Sequence, residues 1–190
     1  MVSSQTLYTA LIGAIYAERL LELVVSERNA RRLLAAGGVE AGRRHYPAMV
    51  AFHALFPAAC AAEVLWLRRA FPVPLGWIAL ALVLAAQGLR WWCVAALGGR
   101  WTVRVVAVPG APPVTGGPYR RLRHPNYLAV LVEVAALPLV HGAWLAAIVA
   151  SAVDAVLLGV RVRCEERALG AAWQAAFARR PRFFPAVRRV

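Results

Sequence analysis

Four apolar runs alternate with arginine-rich segments along the chain. They cover residues 5–25, 46–67, 75–97 and 127–160. A membrane-spanning helix needs about 20 mostly apolar residues, so each of the first three runs predicts one span. The fourth is too long for one span and is interrupted by Pro138 and by His141-Gly142. It predicts a tight hairpin of helices of about 14 and about 20 residues. The pattern predicts an all-α, polytopic membrane protein with about five transmembrane helices and a cytoplasmic C-terminal helix.

The charge distribution adds an orientation. The 190 residues are 61% hydrophobic and carry a net charge of +13, and all 22 basic residues are arginine. Most arginines lie in residues 26–45, 98–126 and 161–190, which five spans place on one face. The positive-inside rule then predicts an outside N-terminus and a cytoplasmic C-terminus. The charge favours topology and contact with anionic membrane lipids over nucleic-acid binding. We expect one integrated domain, with three helices in residues 1–97 and a polar loop, the hairpin and the C-terminal helix in residues 98–190.

Polar side chains also occur inside the apolar runs. Glu18, Arg19 and Glu22 form one stripe, which indicates a helix face turned toward other helices. Arg90 and Glu133 lie at similar depths, about 10 Å and about 9 Å from the cytoplasmic helix ends at 1.5 Å per residue. An arginine in lipid almost always finds a partner, so we expect an Arg90–Glu133 pair. This pair is either structural or lines a substrate cavity.

The segment 114–127 has the residue types of a sharp turn at the membrane surface. Gly116-Gly117-Pro118 favours a turn, Pro125 keeps His124 out of helical geometry, and Asn126 is able to cap the next helix. The free N–H groups of a helix start bind anions such as a ligand carboxylate. A juxtamembrane turn with basic lipid anchors is the alternative interpretation.

A second polar group follows the last apolar run. Arg161 and Glu165 are four residues apart, which permits either an intrahelical ion pair or a site for a ligand's opposite charges. Glu166 adds a second carboxylate, but adjacent helical residues diverge by about 100° and no metal-ligand spacing accompanies them, so a metal site ranks low.

Together these motifs resemble the isoprenylcysteine carboxyl methyltransferase family. The resemblance rests on Gly117-Pro118-Tyr119, the run from Arg123 to Tyr127, a hairpin, Arg161 with Glu165-Glu166, and an ending from Arg180 to Pro185. It implies an integral membrane enzyme that uses S-adenosylmethionine (SAM) without the Rossmann fold of soluble methyltransferases.

The resemblance also implies residue roles. The SAM contacts would be Ala111, Pro112, Pro113, Val114, Tyr119, His124, Pro125, Asn126, Tyr127 and Glu165. Arg161 would orient the acceptor, and Glu165, Glu166 or His124 would take a proton where the acceptor is a hydroxyl. We group Arg161, Glu165 and Glu166 as candidate catalytic residues, and Arg161, Arg90 and Glu133 as candidate substrate contacts. Trp173 and Phe177 stand where the family has tyrosines, and Arg104 where it has a glutamine.

The N-terminal half is similar to a bacterial subgroup associated with phenolic lipids and alkylpyrones. The similar segments are 18–23, 26–29, 37–40 and 45–50. This similarity implies O-methylation of a hydroxyl on a lipophilic small molecule in a bacterial cytoplasmic membrane. The acceptor stays open between a carboxylate and a hydroxyl, as does the oligomeric state.

Two other classes compete with the enzyme hypothesis. A small transporter or channel would use Glu63, Glu133, Asp154 and Arg90 as a polar path, although the motifs cluster on one face. A non-enzymatic scaffold would bind anionic lipids through its basic loops.

Overall fold

The computed structural model describes residues 3–183 and contains five α-helices and a two-stranded sheet. Their bounds are α1 Ser4–Ala35, β1 Val39–Ala41, α2 Tyr46–Trp66, α3 Leu75–Leu97, β2 Val105–Ala107, α4 Pro125–Leu139 and α5 Trp144–Ala176. The antiparallel sheet pairs Val39 with Ala107 and corrects the all-α prediction. Two three-residue strands far apart in sequence are too short to show an alternating pattern, so their pairing is visible only in three dimensions.

Helix α1 is longer than its apolar run predicts. The expected loop of residues 26–45 begins as ten more helical residues, up to Ala35. This part is polar on its outer side, where Arg31 Nε donates to Glu27 at 3.0 Å one turn away. The helix ends before Gly37, whose φ of +83° suits glycine. The length of the apolar run therefore underestimated the length of α1.

Within residues 3–183, three helices are long and apolar enough to cross a membrane. They are Tyr46–Trp66, Trp144–Ala176, and α3 together with a following 3₁₀ turn, Leu75–Arg100. Helix α4 has 15 residues, or about 22 Å at 1.5 Å per residue, which is shorter than a hydrocarbon core. Helix α1 carries the charged stripe. These three helices indicate an integral membrane protein. That α1 and α4 also cross the membrane stays a prediction.

The hairpin is confirmed. Helix α4 ends at Leu139, just after Pro138, and α5 begins at Trp144. Gly142 makes the turn with a φ of +69°, and Ala143 N donates to Pro138 O at 2.9 Å. Helix α5 does not stop near residue 160 but continues to Ala176, interrupted at Gly170, which has a φ of +73°. The expected C-terminal helix is thus the continuation of the last apolar helix.

Helix α4 packs between α3 and α5, and α1 packs against α2. The largest core cluster joins these helices at the end far from the polar loop, around Tyr8, Phe56, Val83, Val134 and Leu137. The hydroxyl of Tyr8 donates to the Leu137 carbonyl at 3.1 Å. This core leaves the opposite end of the bundle available for polar side chains.

Glu63 has a structural partner that the sequence did not reveal. Its carboxylate accepts from the backbone N–H groups of Leu145 at 3.2 Å and Ala146 at 2.7 Å, and from Arg69 at 2.9 Å. The first N–H groups of a helix have no intrahelical acceptor, so Glu63 of α2 caps α5 from outside.

We expect Glu63→Ala to destabilise the protein, because it removes the acceptor for two helix-start N–H groups and one arginine. The expected cost is about 2 kcal/mol, seen as a fall of about 5 °C in the thermal midpoint in detergent. The control Arg31→Ala breaks an exposed pair with Glu27 and should change the midpoint little. An unchanged midpoint in Glu63→Ala would contradict the capping role.

Candidate functional site

The expected turn before α4 packs tightly on α3. Gly117 begins a 3₁₀ turn, Gly117–Arg120, with a φ of +54°. A Cβ there would lie 3.0 Å from the Ala96 side chain and 3.2 Å from Trp92 Nε1. Glycine therefore serves both the backbone angle and the close approach. The turn directs Tyr119 inward, where burial raises the pKa of its phenol and keeps it protonated.

A large cavity of about 570 Å³ collects most of the predicted cofactor residues. Its walls include Ala111, Pro112, Pro113, Val114, Tyr119, His124, Asn126, Tyr127 and Glu165, together with Arg161. Pro125 is buried at the start of α4 and lies outside these walls. Trp173, beyond the break at Gly170, contributes an aromatic face. The volume falls within the range of small-molecule pockets.

Arg161 is the centre of the polar contacts beside this cavity. Its Nε donates to the Tyr127 hydroxyl at 2.9 Å, and that hydroxyl donates to Glu165. Its Nη2 donates to the Val103 carbonyl. The expected Arg161–Glu165 contact is thus relayed through Tyr127 rather than made directly. Arg161 Nη1 faces Met49 Sδ at 3.8 Å, a weak acceptor, so this nitrogen is available to a stronger one.

Glu166 is directed away from the cavities. It accepts from Arg182 at 2.9 and 2.6 Å and pairs with His124 Nε2 at 3.1 Å. Burial raises its pKa, but the hydrogen bonds from Arg182 and His124 outweigh burial and hold the pKa below its usual value. The described residues therefore place Glu166 outside the walls of both cavities, where it binds His124 and Arg182.

The C-terminal segment docks beside His124. Arg123 N donates to Pro181 O at 2.9 Å, and His124 N donates to Arg182 O at 3.1 Å. The His124 ring also contacts the rings of Tyr127, Trp173 and Phe183 at centroid distances of 5.2 to 6.3 Å. The rest of the family-like ending, from Phe184 onward, lies outside the described residues.

A small cavity of about 280 Å³ lies deeper, between α1, α2 and α4. Its walls include Arg19, Glu22, Arg90 and Glu133. Arg90 binds Glu22 through two nitrogens at 2.5 and 2.6 Å, while Arg19 binds both Glu22 and Glu133 at 2.5 Å. The predicted Arg90–Glu133 pair is therefore wrong, because α1 inserts its polar stripe between them. The expectation that this stripe faces other helices is confirmed.

The two cavities share walls. Trp101, Thr102, Asn126, Tyr127 and Arg161 line both. The Asn126 side-chain oxygen is buried there and has no hydrogen-bond partner among residues 3–183. A buried acceptor without a partner is costly, so this atom marks a place for a ligand donor.

Ser26 and Asn29 of α1 were missed by sequence reasoning. Val103 N donates to Ser26 Oγ at 2.8 Å, and Asn29 Nδ2 donates to Trp101 O at 2.9 Å. Both side chains are buried and hold the segment that accepts from Arg161. A signal existed, because these two positions continue the helical stripe of Arg19 and Glu22.

Comparisons with known proteins agree with this arrangement. Residues 78–171 match the model of the isoprenylcysteine carboxyl methyltransferase (ICMT) family. The chain is 35% identical over 164 residues to the uncharacterized protein YpbQ of Bacillus subtilis, covering 86% of this chain and 96% of that protein. It is 28% identical over 158 residues to an uncharacterized protein of Haemophilus influenzae, covering 83% of this chain and 91% of that one.

We expect the docking of the C-terminal segment to weaken in acid. Because the pKa of Glu166 is held below its usual 4.5, its pairing stabilises the docked state above that pH and is lost as pH falls through the lower value. The measurement is hydrogen exchange of the Arg123 and His124 amides, corrected for the intrinsic rate.

Glu166→Gln should lower the hydrogen-exchange protection of the Arg123 and His124 amides at neutral pH. The protection should approach the value that the wild-type protein reaches only in acid. Arg167→Gln, an exposed neighbour on α5, serves as the control and should leave it unchanged. Equal protection in both variants would show that Glu166 does not hold the segment.

Proposed function

Because residues 78–171 of this chain match the isoprenylcysteine carboxyl methyltransferase family, we propose that the protein is a SAM-dependent O-methyltransferase acting on a lipophilic small molecule. The observation that carries the proposal is the shared wall between the two cavities. A large cavity with the family-like residues shares Arg161 and four other wall residues with a small cavity among the apolar helices. One cavity suits a water-soluble cofactor, and the other suits an acceptor from the membrane.

The residues of the large cavity fit SAM. Bound SAM supplies a methyl group activated by the positive charge of its sulfonium. The rings of Tyr119, Tyr127 and Trp173 offer cation–π surfaces for such a charge. Glu165 and the unpartnered oxygen of Asn126 are acceptors for amino or hydroxyl groups. These contacts support the family's cofactor in this cavity.

In this proposal Arg161 orients the acceptor. Its Nη1 is directed toward Met49, a wall of the small cavity, and the Tyr127 and Val103 contacts keep the guanidinium from turning. A charged hydrogen bond from this nitrogen directs an acceptor oxygen toward the shared wall, and burial of Arg161 and Tyr127 excludes water.

The need for a base depends on the acceptor. A carboxylate is already ionised at neutral pH, whereas a phenol with a pKa near 10 has to lose a proton. Glu165 is then the proton acceptor, because it accepts a hydrogen bond from the hydroxyl of Tyr127, a residue of the shared wall. Glu166 is engaged by Arg182 and His124 and serves as a positioning residue.

We favour a hydroxyl on a polyketide-derived phenolic lipid or alkylpyrone as the acceptor. The support comes from α1, whose sequence is similar to the phenolic-lipid subgroup. Its residues Arg19 and Glu22 line the small cavity and lie outside the family-matched residues 78–171. We also propose a bacterial cytoplasmic membrane with the large cavity on the cytoplasmic side. The arginine-rich segments that border this cavity support that orientation.

The pairing of Glu63 and Glu133 argues against a transport path that uses them. Glu22 and Glu133 are bound by arginines, and Glu63 caps a helix. Ion pairs of this kind hold helices together and leave these carboxylates unavailable to a passing ion. Uptake without methyl transfer would favour a transporter, and SAM-independent partner binding would favour a scaffold.

The test is methyl transfer from labelled SAM by the purified protein in lipid, with an alkylresorcinol, an alkylpyrone and a prenylated cysteine as acceptors. We expect product on one of the two hydroxyl acceptors. Product on the prenylated cysteine alone would overturn the acceptor class, and absence of SAM binding would overturn the function.

Arg161→Ala should lower kcat/KM for the acceptor by about 100-fold, because it removes the charged donor to the reacting oxygen. Arg161→Lys should recover little, since a single ammonium nitrogen does not reproduce the planar guanidinium, whose three nitrogens point separately to Tyr127, Val103 and the acceptor. SAM affinity, measured by calorimetry, should change less than kcat/KM. Arg163→Ala, exposed on the same helix, is the matched control. Turnover of Arg161→Ala equal to that control would remove Arg161 from this role.

A further inference from the structure

His53 of α2 is a polar residue in the wall of the small cavity. Other histidines of the chain have a partner, since His124 and His141 each reach a side-chain oxygen at 3.1 Å. Within residues 3–183, neither ring nitrogen of His53 makes a hydrogen bond or an ion pair. Its ring meets Phe52 edge to face at a centroid distance of 5.1 Å, a contact that engages neither nitrogen. The imidazole therefore offers its hydrogen-bonding groups to the cavity.

The position of His53 relative to Arg161 follows from the geometry of α2. Met49 and His53 are four residues apart on this helix, so their side chains share one face. At 1.5 Å per residue, His53 lies about 6 Å further along the axis. Arg161 Nη1 contacts Met49 Sδ at 3.8 Å, so the guanidinium lies at the level of Met49 and the imidazole about one turn deeper. Both side chains line the small cavity, so one ligand is able to meet both.

The depth of His53 in the helix indicates a ligand. It follows the first residue of α2 by seven positions, or about 10 Å, inside one of the three helices apolar enough to cross a membrane. A polar group in such an environment is costly without a hydrogen-bond partner, and polar residues within spans mark ligand sites. The protein supplies no partner among the described residues, so the cavity is the place from which one comes.

We propose that His53 binds a second oxygen of the acceptor headgroup while Arg161 holds the oxygen that is methylated. The inference rests on the proposed function and adds a residue that determines its specificity. It defines the headgroup as a six-membered ring with two oxygens in a meta relation, as in an alkylresorcinol or a hydroxylated alkylpyrone. Two such oxygens leave the ring on different sides, which suits two side chains about one helical turn apart.

Hydrogen bonding explains why this arrangement selects the headgroup. An imidazole N–H donates equally well to a hydroxyl and to a ring carbonyl, so His53 accepts either kind of second oxygen. A ring with a single oxygen would fill the same space and leave the imidazole without a partner. Sites built to bond a polar group discriminate strongly against analogues that lack it, because the buried partner then stays unpaired.

Tyr46 is the competing residue for this role. It lines the small cavity on the same helix, and its hydroxyl also makes no hydrogen bond in the part of the chain that the structure describes. It is the first residue of α2, at the end of the apolar helix, where water and lipid headgroups are available to a phenol. His53 lies inside the helix and has no such source, so we assign the second oxygen to His53.

The experiment compares two acceptors that differ by one oxygen, with labelled SAM and the protein in lipid. The two-oxygen acceptor is the pentadecyl resorcinol or pentadecyl hydroxypyrone, whichever the wild type methylates faster, and the single-oxygen acceptor is meta-pentadecylphenol. His53→Phe removes both ring nitrogens and keeps an aromatic ring, whereas His53→Gln retains a donor and an acceptor. Tyr46→Phe tests the competing side chain. Leu55→Phe, exposed on α2 and absent from the cavity walls, is the matched control.

We expect the wild type and the Leu55→Phe control to prefer the two-oxygen acceptor in kcat/KM by about tenfold or more. His53→Phe should reduce this preference by about tenfold, mainly through loss on the two-oxygen acceptor, because the phenol never made the bond. His53→Gln should recover part of the preference, since an amide also donates.

An unchanged preference in His53→Phe would overturn the assignment. So would a preference that is lost in Tyr46→Phe and kept in His53→Phe. Failure of the wild type to bind SAM or to methylate any acceptor would instead overturn the proposed function, so the two failures are distinguishable.

The imidazole nitrogen resonances give a readout that is independent of turnover. The chain has four histidines, so the signal missing from the spectrum of His53→Phe identifies His53. In the wild type, with the demethylated cofactor S-adenosylhomocysteine present, this signal should shift when the two-oxygen acceptor is added and stay in place with the phenol. Equal shifts with both acceptors, or no shift with either, would contradict a bond to the second oxygen.

Discussion

The chain of buried ion pairs from Arg90 through Glu22 and Arg19 to Glu133 is the contact on which the helix arrangement depends. It joins α3, α1 and α4 inside an apolar bundle. Two arginines and two carboxylates compensate one another, so loss of one partner would leave an uncompensated charge, a defect that costs about 3–5 kcal/mol. Because α1 supplies the two central members, its position and rotation follow from them.

The same helix also fixes the position of Arg161. Below Glu22, the buried Ser26 and Asn29 hold the backbone of Val103 and Trp101, and Val103 in turn accepts from Arg161. Arg161 is therefore fixed by groups from three parts of the chain, through Tyr127 of α4, Val103 and its own helix. A side chain held in this way keeps one orientation while ligands enter from either cavity.

The fold builds the two cavities from different parts of the chain. The large cavity is built from the polar loop, the start of α4 and the end of α5, with the C-terminal segment docked beside His124. The small cavity lies among the helices, and its walls combine apolar side chains with the buried ion pairs of Arg19, Glu22, Arg90 and Glu133. Arg161, Tyr127 and Asn126 form the boundary between them, which is where the proposed cofactor and the proposed acceptor would meet.

The sequence determined the local features of this protein. Apolar run length predicted α2, α3 and the hairpin, glycine and proline placed the turns at residues 117 and 142, and the motif residues around His124 and Arg161 marked one cavity. These features follow from side chains close together in the chain. The tertiary structure alone decided the partners of the buried charges, the pairing of β1 with β2, and which of the two neighbouring carboxylates, Glu165 or Glu166, lines the large cavity. Depth along a helix places Arg90 and Glu133 at one level, but only the packed rotation of α1 shows that Glu22 and Arg19 lie between them.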